Sequence, residues 1–285
     1  MALNYEKLMA TSYSDIDYIY SDRETMMYAL SIGLGRDPLN EAELAYVYEQ
    51  RGQLKTVPTM SSVLVQDLFG PDLGWDYGQV LHIEQRMSLY RPLPPEGRLK
   101  IDKYVKAAYD LGARRGAIVM FEAEARLAAD DTALFTIGST VMARGDGGFG
   151  GPRGSSPSPH RPPRRDADLS CELPTRLDQP LWYRLNDDRN PLHADPAVAG
   201  AAGFERPIMH GLCTYGIACH AVLKTICDYD YTLIEGFDAR FSAPVMPGDT
   251  IRTDMWQDGN VVSFLCKAVE RDVIVLKNGK CTIRS

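Results

Sequence analysis

The stretch LCTYGIACHAVLKTIC, residues 212–227, sets how the second half of the chain is read. Leu212, Tyr215, Ala218, Val222 and Ile226 recur at spacings of three and four, the period of an amphipathic or largely buried helix. Period-two runs follow at Ile234–Ala243, Thr250–Gln257, Val261–Val269 and Val273–Leu276, with Asp258-Gly259 as a hairpin turn between two of them. A loop-rich segment, Tyr183 to Pro207, precedes the helix. One helix followed by a run of antiparallel strands is the pattern of an α+β unit, the helix packed on a curling sheet.

The first half repeats the order. Ser21-Asp-Arg-Glu24 is a capping box ahead of the apolar run Met26–Leu34, and Gly33 and Gly35 supply a stop. A second helical segment is expected over Glu41–Gln50, then a short apolar stretch at Met60–Phe69. Strands are expected at Val80–Tyr90, Arg98–Ala108, Ala117–Leu127 and Ala133–Ala143. Between the halves lies GDGGFGGPRGSSPSPHRPPRR, residues 145–165, too poor in apolar side chains to order itself by burial. The chain therefore divides into 1–144, a Gly/Pro/Arg-rich linker at 145–168, and 169–285.

Composition narrows the function. The 285 residues are 45% hydrophobic and 24% charged, which excludes disordered and fibrous classes. A net charge of −7 argues against a nucleic-acid partner, and Arg161–Arg165 reads as solvated linker. The longest apolar runs are too short for a membrane span, and the acidic, Tyr-rich start, Met1–Tyr20, does not resemble a signal peptide. The 6 cysteines are scattered through the second half and read as reduced thiols. A cytoplasmic place is expected; a peroxisomal one would need a targeting sequence, which Ile283-Arg284-Ser285 is not.

Reactive side chains are densest in YRLNDDRNPLH, residues 183–193. Asp188, Asn190 and His193 fall in one loop beside a proline that blocks regular helix. An Asp–His pair can hold and activate a water, and a neighbouring amide can fix it; the same residues also suit a turn or cap. Gly211, at the start of the helix, could offer a backbone N–H to a developing oxyanion, or simply let the helix pack close to a strand. Histidine and cysteine spacing shows no zinc pattern, and no metal is expected.

NDDRNPLHADP followed by AGFERPIMHGLCTYG resembles the signature of the MaoC-like (R)-specific enoyl-CoA hydratases, or hydratase 2, in their two-domain form. VLHIEQRMSLYRPLPPEGRL, ARGDGGFGGPRG and FDARFSAPVMPGDT resemble family segments in the same order. The resemblance implies a double hotdog, in which each half wraps an antiparallel sheet around a long helix. It implies reversible hydration of trans-2-enoyl-CoA to (3R)-3-hydroxyacyl-CoA, with no cofactor beyond the thioester itself and a homodimeric assembly. Asp188 and His193 match the catalytic pair, Asn190 the amide beside them, and Glu49 a glutamate on which activity depends. For substrate binding it implies Gly211, Phe241, His82, Ile83, Arg189 and Arg240. The first half would then accommodate the acyl group. Three positions depart from the pattern: Asp187 stands where the family has Gly, Ile83 also replaces a Gly, and Leu111 stands where relatives can carry a lysine. An inward Asp187 would raise the pKa of Asp188. Two other readings share the fold: a thioesterase, with Cys213 and His210 as nucleophile and base, and a non-catalytic acyl-CoA-binding protein.

Overall fold

The computed structural model describes residues 3–65, 75 and 77–284. Ten strands form one antiparallel sheet in the order β1-β3-β4-β5-β2-β7-β10-β9-β8-β6. The first half contributes β1 (Ser12–Tyr20), β2 (Val80–Leu89), β3 (Gly97–Asp110), β4 (Ala117–Leu127) and β5 (Ala133–Ala143). The second contributes β6 (Leu169–Pro174), β7 (Ile234–Phe241), β8 (Thr250–Asp258), β9 (Val261–Ala268) and β10 (Val273–Ile283). The halves meet where β2 pairs with β7, from Glu84 opposite Arg240 to Ser88 opposite Gly236.

The helices are α1 (Tyr5–Met9), α2 (Asp22–Ser31), α3 (Glu41–Leu44), α4 (Gln179–Tyr183), α5 (Pro196–Ala201) and α6 (Gly211–Thr225). Helix α6 is the expected one, and it is buried without a gap from Cys213 to Leu223. A helix apolar on all sides belongs inside a core, and its residues join Met87, Phe237, Ile251 and Phe264 of the sheet in one cluster. Gly216 lets α2 approach, since a Cβ there would lie 2.7 Å from Ile32 and 2.9 Å from the Tyr28 hydroxyl.

The first half has no equivalent long helix among the described residues. The capping box forms as read, Glu24 accepting from the Ser21 N–H at 2.9 Å. The segment 41–50 yields only the four residues of α3, a turn, and a 3-10 turn at Glu49–Arg51. Tertiary bonds override helix propensity there: Tyr46 is fully buried with its hydroxyl on the Tyr229 carbonyl, and Lys55 N–H bonds Ala45 O. Residues 60–65 of the apolar stretch fill the core, and 66–69 lie outside the described residues.

Two strands, β1 and β6, have no counterpart in the sequence reading, and they are the two edges of the sheet. With one side unpaired they carry polar or exposed residues, so apolar alternation is lost. Strand β10 runs past the expected end at Leu276 because Lys277-Asn278-Gly279, which reads as a turn, is a bulge with Asn278 at φ 57°.

The segment 145–168 is held against the sheet by hydrogen bonds, with Phe149 packed on an apolar cluster and stacked on Tyr5. The Asp110 carboxylate accepts from Gly112, Gly148 and Gly150 N–H at 2.7–2.8 Å. The His160 ring bonds Ser263 Oγ at 2.7 Å, and Trp256 Nε1–H bonds the Arg165 carbonyl at 2.8 Å.

Candidate active site

The site begins where α4 ends. Asn186 Nδ2 donates to Tyr183 O at 2.9 Å and to Ser31 Oγ at 3.0 Å, so the loop that follows is anchored to the end of α2. The chain then needs a left-handed residue, and Asp187 supplies it at φ 65°. Its carboxylate is exposed and accepts from the Tyr18 hydroxyl at 3.5 Å. It is therefore turned toward Tyr18 of β1, where both residues line the same cavity as Arg189.

Asp188, next in the chain, accepts the Asn190 N–H on Oδ1 at 3.3 Å. Asn190 accepts the Leu192 N–H at 3.0 Å and caps a 3-10 turn, Pro191–His193. The turn carries His193 inward. Asn190 itself is exposed, and its oxygen is committed to this cap.

His193 Nδ1 lies 2.9 Å from the Ile208 carbonyl. A carbonyl only accepts, so Nδ1 bears the proton and Nε2 of the neutral ring keeps its lone pair. Burial favours that neutral form and lowers the pKa of His193, although Ile208 and Asp188 oppose the shift. The His193 ring lies on that of His210, centroids 3.8 Å apart at 31°. His210 Nε2–H in turn donates to the backbone carbonyl of Asp188 at 3.3 Å. Burial, with His193 beside it, pushes His210 down to about 3.

His210 immediately precedes α6, and its side chain makes no capping bond to that helix. The Cys213 and Thr214 N–H groups donate to the His210 carbonyl at 3.1 and 3.2 Å, which leaves those of Gly211 and Leu212 at the positive end of the helix dipole. Gly211 sits against Phe241: a Cβ there would be 3.1 Å from two carbons of the ring. Phe241 meets the His82 ring at 4.9 Å, and His82 Nε2–H donates to Glu84 O at 3.0 Å. Ile83 is the extra residue of a β2 bulge between His82 and Glu84. Gly211, Phe241 and His82 thus form one group beside the helix start.

Arg240 is elsewhere. Neighbouring residues of a strand face opposite sides, and with Phe241 turned to Gly211, Arg240 points to the outer face. There it bonds Glu84 at 3.2 Å, Ser156 Oγ at 2.9 Å and Pro157 O at 3.3 Å, holding the linker. Arg240→Met is expected to lower stability by about 1–3 kcal/mol, because the buried Glu84 carboxylate keeps Arg86 alone. The same variant should leave KM for the substrate unchanged, which urea unfolding and steady-state kinetics check together. Arg189 is exposed and lines a cavity of about 380 Å³ between the Leu185–Arg189 loop and the first half, walled by Met27, Met60, Val63 and Leu64. Glu49 is exposed on its 3-10 turn, with no bond or ion pair to any of these groups.

Cys213 is fully buried, its thiol pushed up by burial and directed at Ser31 O at 3.6 Å. That is a packed side chain and not a nucleophile activated by His210. Asp188, His193 and His210 each place one potential ligand atom within 4.8 Å of the others, the one set of side chains among the described residues that could hold a metal ion. The sequence reading missed three contributors: His210 as a member of the pair's surroundings, and Ser31 and Tyr183 as anchors of the loop. Only His210 had a signal, its place directly before Gly211.

The acid limb of stability follows from these burials. Unfolded histidines bind protons below about 6.5, whereas burial holds His82 down to about 4 and His210 to about 3. For the Glu43 carboxylate, burial alone would raise the pKa, but His220, the Tyr229 hydroxyl and the Gly35 N–H hold it below the usual range. Between these folded values and the unfolded ones the unfolded state carries more protons, so stability falls as pH drops below about 6.5. Urea midpoints should decline steadily from pH 7 to pH 4, with no comparable loss toward pH 8.

Residues 159–278 match the family described as MaoC like domain, and residues 18–145 match the MFE-2 hydratase 2 N-terminal domain. The chain is 34% identical to enoyl-CoA hydratase ChsH3 of Mycobacterium tuberculosis, over 98% of each chain. It is 35% identical to the peroxisomal enoyl-CoA hydratase 2 of Arabidopsis thaliana, over 96% of this chain and 93% of that protein. A solved MaoC-like dehydratase from Phytophthora capsici superposes with a TM-score of 0.87 at 28% identity, covering 99% of this chain and 98% of that one. The ten-stranded sheet is two hotdog units side by side, an architecture the chain shares with that solved dehydratase.

Proposed function

Because the chain belongs to the MaoC-like hydratase 2 family, we propose that it adds water to trans-2-enoyl-CoA at Asp188 and His193, giving (3R)-3-hydroxyacyl-CoA. The observation that carries the assignment is the convergence of the Asp188 carboxylate and the His193 ring, one atom of each within 4.8 Å of the other, beside the uncapped start of α6. The thioester carbonyl accepts the Gly211 N–H. Water held by Asp188 and His193 Nε2 attacks C3, forming the C3–O bond, while electron density moves through C2 to the carbonyl oxygen. The resulting enolate is stabilised at Gly211, a contribution of about 3–4 kcal/mol for one such donor. The pair accepts a proton from the water and returns one to C2, so the overall change is the addition of H and OH. Neither an oxidant nor a reductant enters this balance.

The acyl chain fits the cavity walled by Met27, Met60, Val63 and Leu64, which adjoins the Asp188 loop. Arg189 and Arg23 at its edge suit the phosphates of CoA. Cytoplasmic location and a homodimer belong to the same proposal; sedimentation of the purified protein tests the latter. The activity is tested by following the conjugated enoyl-thioester absorbance with acyl chains of graded length, free thiol being monitored in parallel. Loss of absorbance without thiol supports hydration, whereas thiol release supports a thioesterase.

A further inference from the structure

We propose that His210 is a positioning residue of the hydration site, one that sets Asp188 and His193 in place relative to the Gly211 N–H. The inference rests on the hydratase reading and adds a residue to it. His210 occupies the N-cap of α6, a position that favours Ser, Thr, Asp or Asn because their side chains bond the exposed N–H groups. The imidazole makes no such bond. It turns away from the helix to stack on His193, centroids 3.8 Å apart, and its Nε2–H holds the carbonyl of Asp188 at 3.3 Å. The Tyr183 ring lies 4.9 Å from the same imidazole, centroid to centroid.

One side chain therefore touches both members of the pair and is joined by a single peptide bond to the amide that receives the carbonyl. Its remaining nitrogen, Nδ1, is buried without a hydrogen-bond partner among the described residues. Leaving a buried acceptor unpaired disfavours folding, and such exceptions call for a reason in function. The ring also keeps water from one face of His193. The charged or titratable groups around the two rings are Asp188 beside His193, and Arg184 and Tyr183 beside His210.

Two variants separate the parts of this role. His210→Leu removes both the stacked ring and the donor. Its kcat should fall by about 10²-fold, the loss typical of a reacting group misplaced by about 1 Å, with KM little changed. Water then reaches His193, its pKa rises toward the ordinary value, and the acid limb of kcat/KM moves to higher pH. His210→Gln retains an N–H donor for the Asp188 carbonyl and should recover kcat to within about tenfold of the parent, the worth of one hydrogen bond. Thermal melts establish the folded fraction of each variant.

A leucine variant with parental kcat and an unmoved acid limb overturns the inference. So does activity lost only in proportion to folded protein, with glutamine no better than leucine. Failure of the parent enzyme itself to hydrate any enoyl-CoA would instead refute the hydratase reading, so the two failures are distinguishable.

Discussion

Asp188→Asn is expected to lower kcat by about 10²–10⁴-fold, the range for loss of a general acid or base. The substitution is close to isosteric. Its amide oxygen can still accept the Asn190 N–H that Asp188 Oδ1 accepts at 3.3 Å, so the cap and the Pro191–His193 turn should survive. What disappears is the negative charge and the ability to take a proton. His193 then faces the water without a partner, and the melting temperature should stay at the parental value. His193→Gln should cost a similar factor, and the double variant should cost little more than either, because residues acting as a unit are not additive. Equal kcat for Asp188→Asn and the parent would place the chemistry elsewhere.

Gly211→Ala should separate activity from stability in the opposite sense to a core mutation. Gly211 does not have a positive φ, so alanine fits its backbone without strain. The added Cβ meets two ring carbons of Phe241 at 3.1 Å, closer than ordinary contact, and either the ring or the helix start must shift by a few tenths of an ångström. Such a shift moves the N–H off the carbonyl. Loss of one oxyanion donor costs about 10²–10³-fold in kcat, whereas stability should be unchanged or slightly higher, because glycine's extra unfolded-state entropy is gone. Pairing the change with Phe241→Leu, which removes the contacted ring, should restore part of the rate. If the double variant is as slow as the single one, the packing of Gly211 on Phe241 is not what aligns the amide.

Much of this site was readable because its chemistry is local in the chain. Asp188, Asn190 and His193 share one loop, and Pro191 forces the turn that brings the histidine inward. Helix α6 was readable for the same reason, since a spacing of three and four needs no partner to be seen. What escaped depends on distant contacts. Ser31 joins the site only because α2 packs on α4, and nothing around residue 31 signals a partner at Asn186. Arg240 sits beside Phe241 in sequence, yet a strand turns neighbours to opposite faces, so a shared segment did not imply a shared pocket. Edge strands β1 and β6 lacked alternation because only one of their sides is paired. Asp187 could be seen to stand where the family has glycine, but the direction of its carboxylate depended on Tyr18, 169 residues away.

Addition of water across the enoyl double bond in one stereochemical sense is the reaction assigned to this pocket. It is tested most directly by converting trans-2-enoyl-CoA in heavy water and determining the product's configuration and label. The expected product is (3R)-3-hydroxyacyl-CoA with one deuterium at C2 and the thioester intact, from the parent enzyme and not from Asp188→Asn. A (3S) product, free CoA thiol, or equal turnover by the Asp188→Asn variant would contradict it.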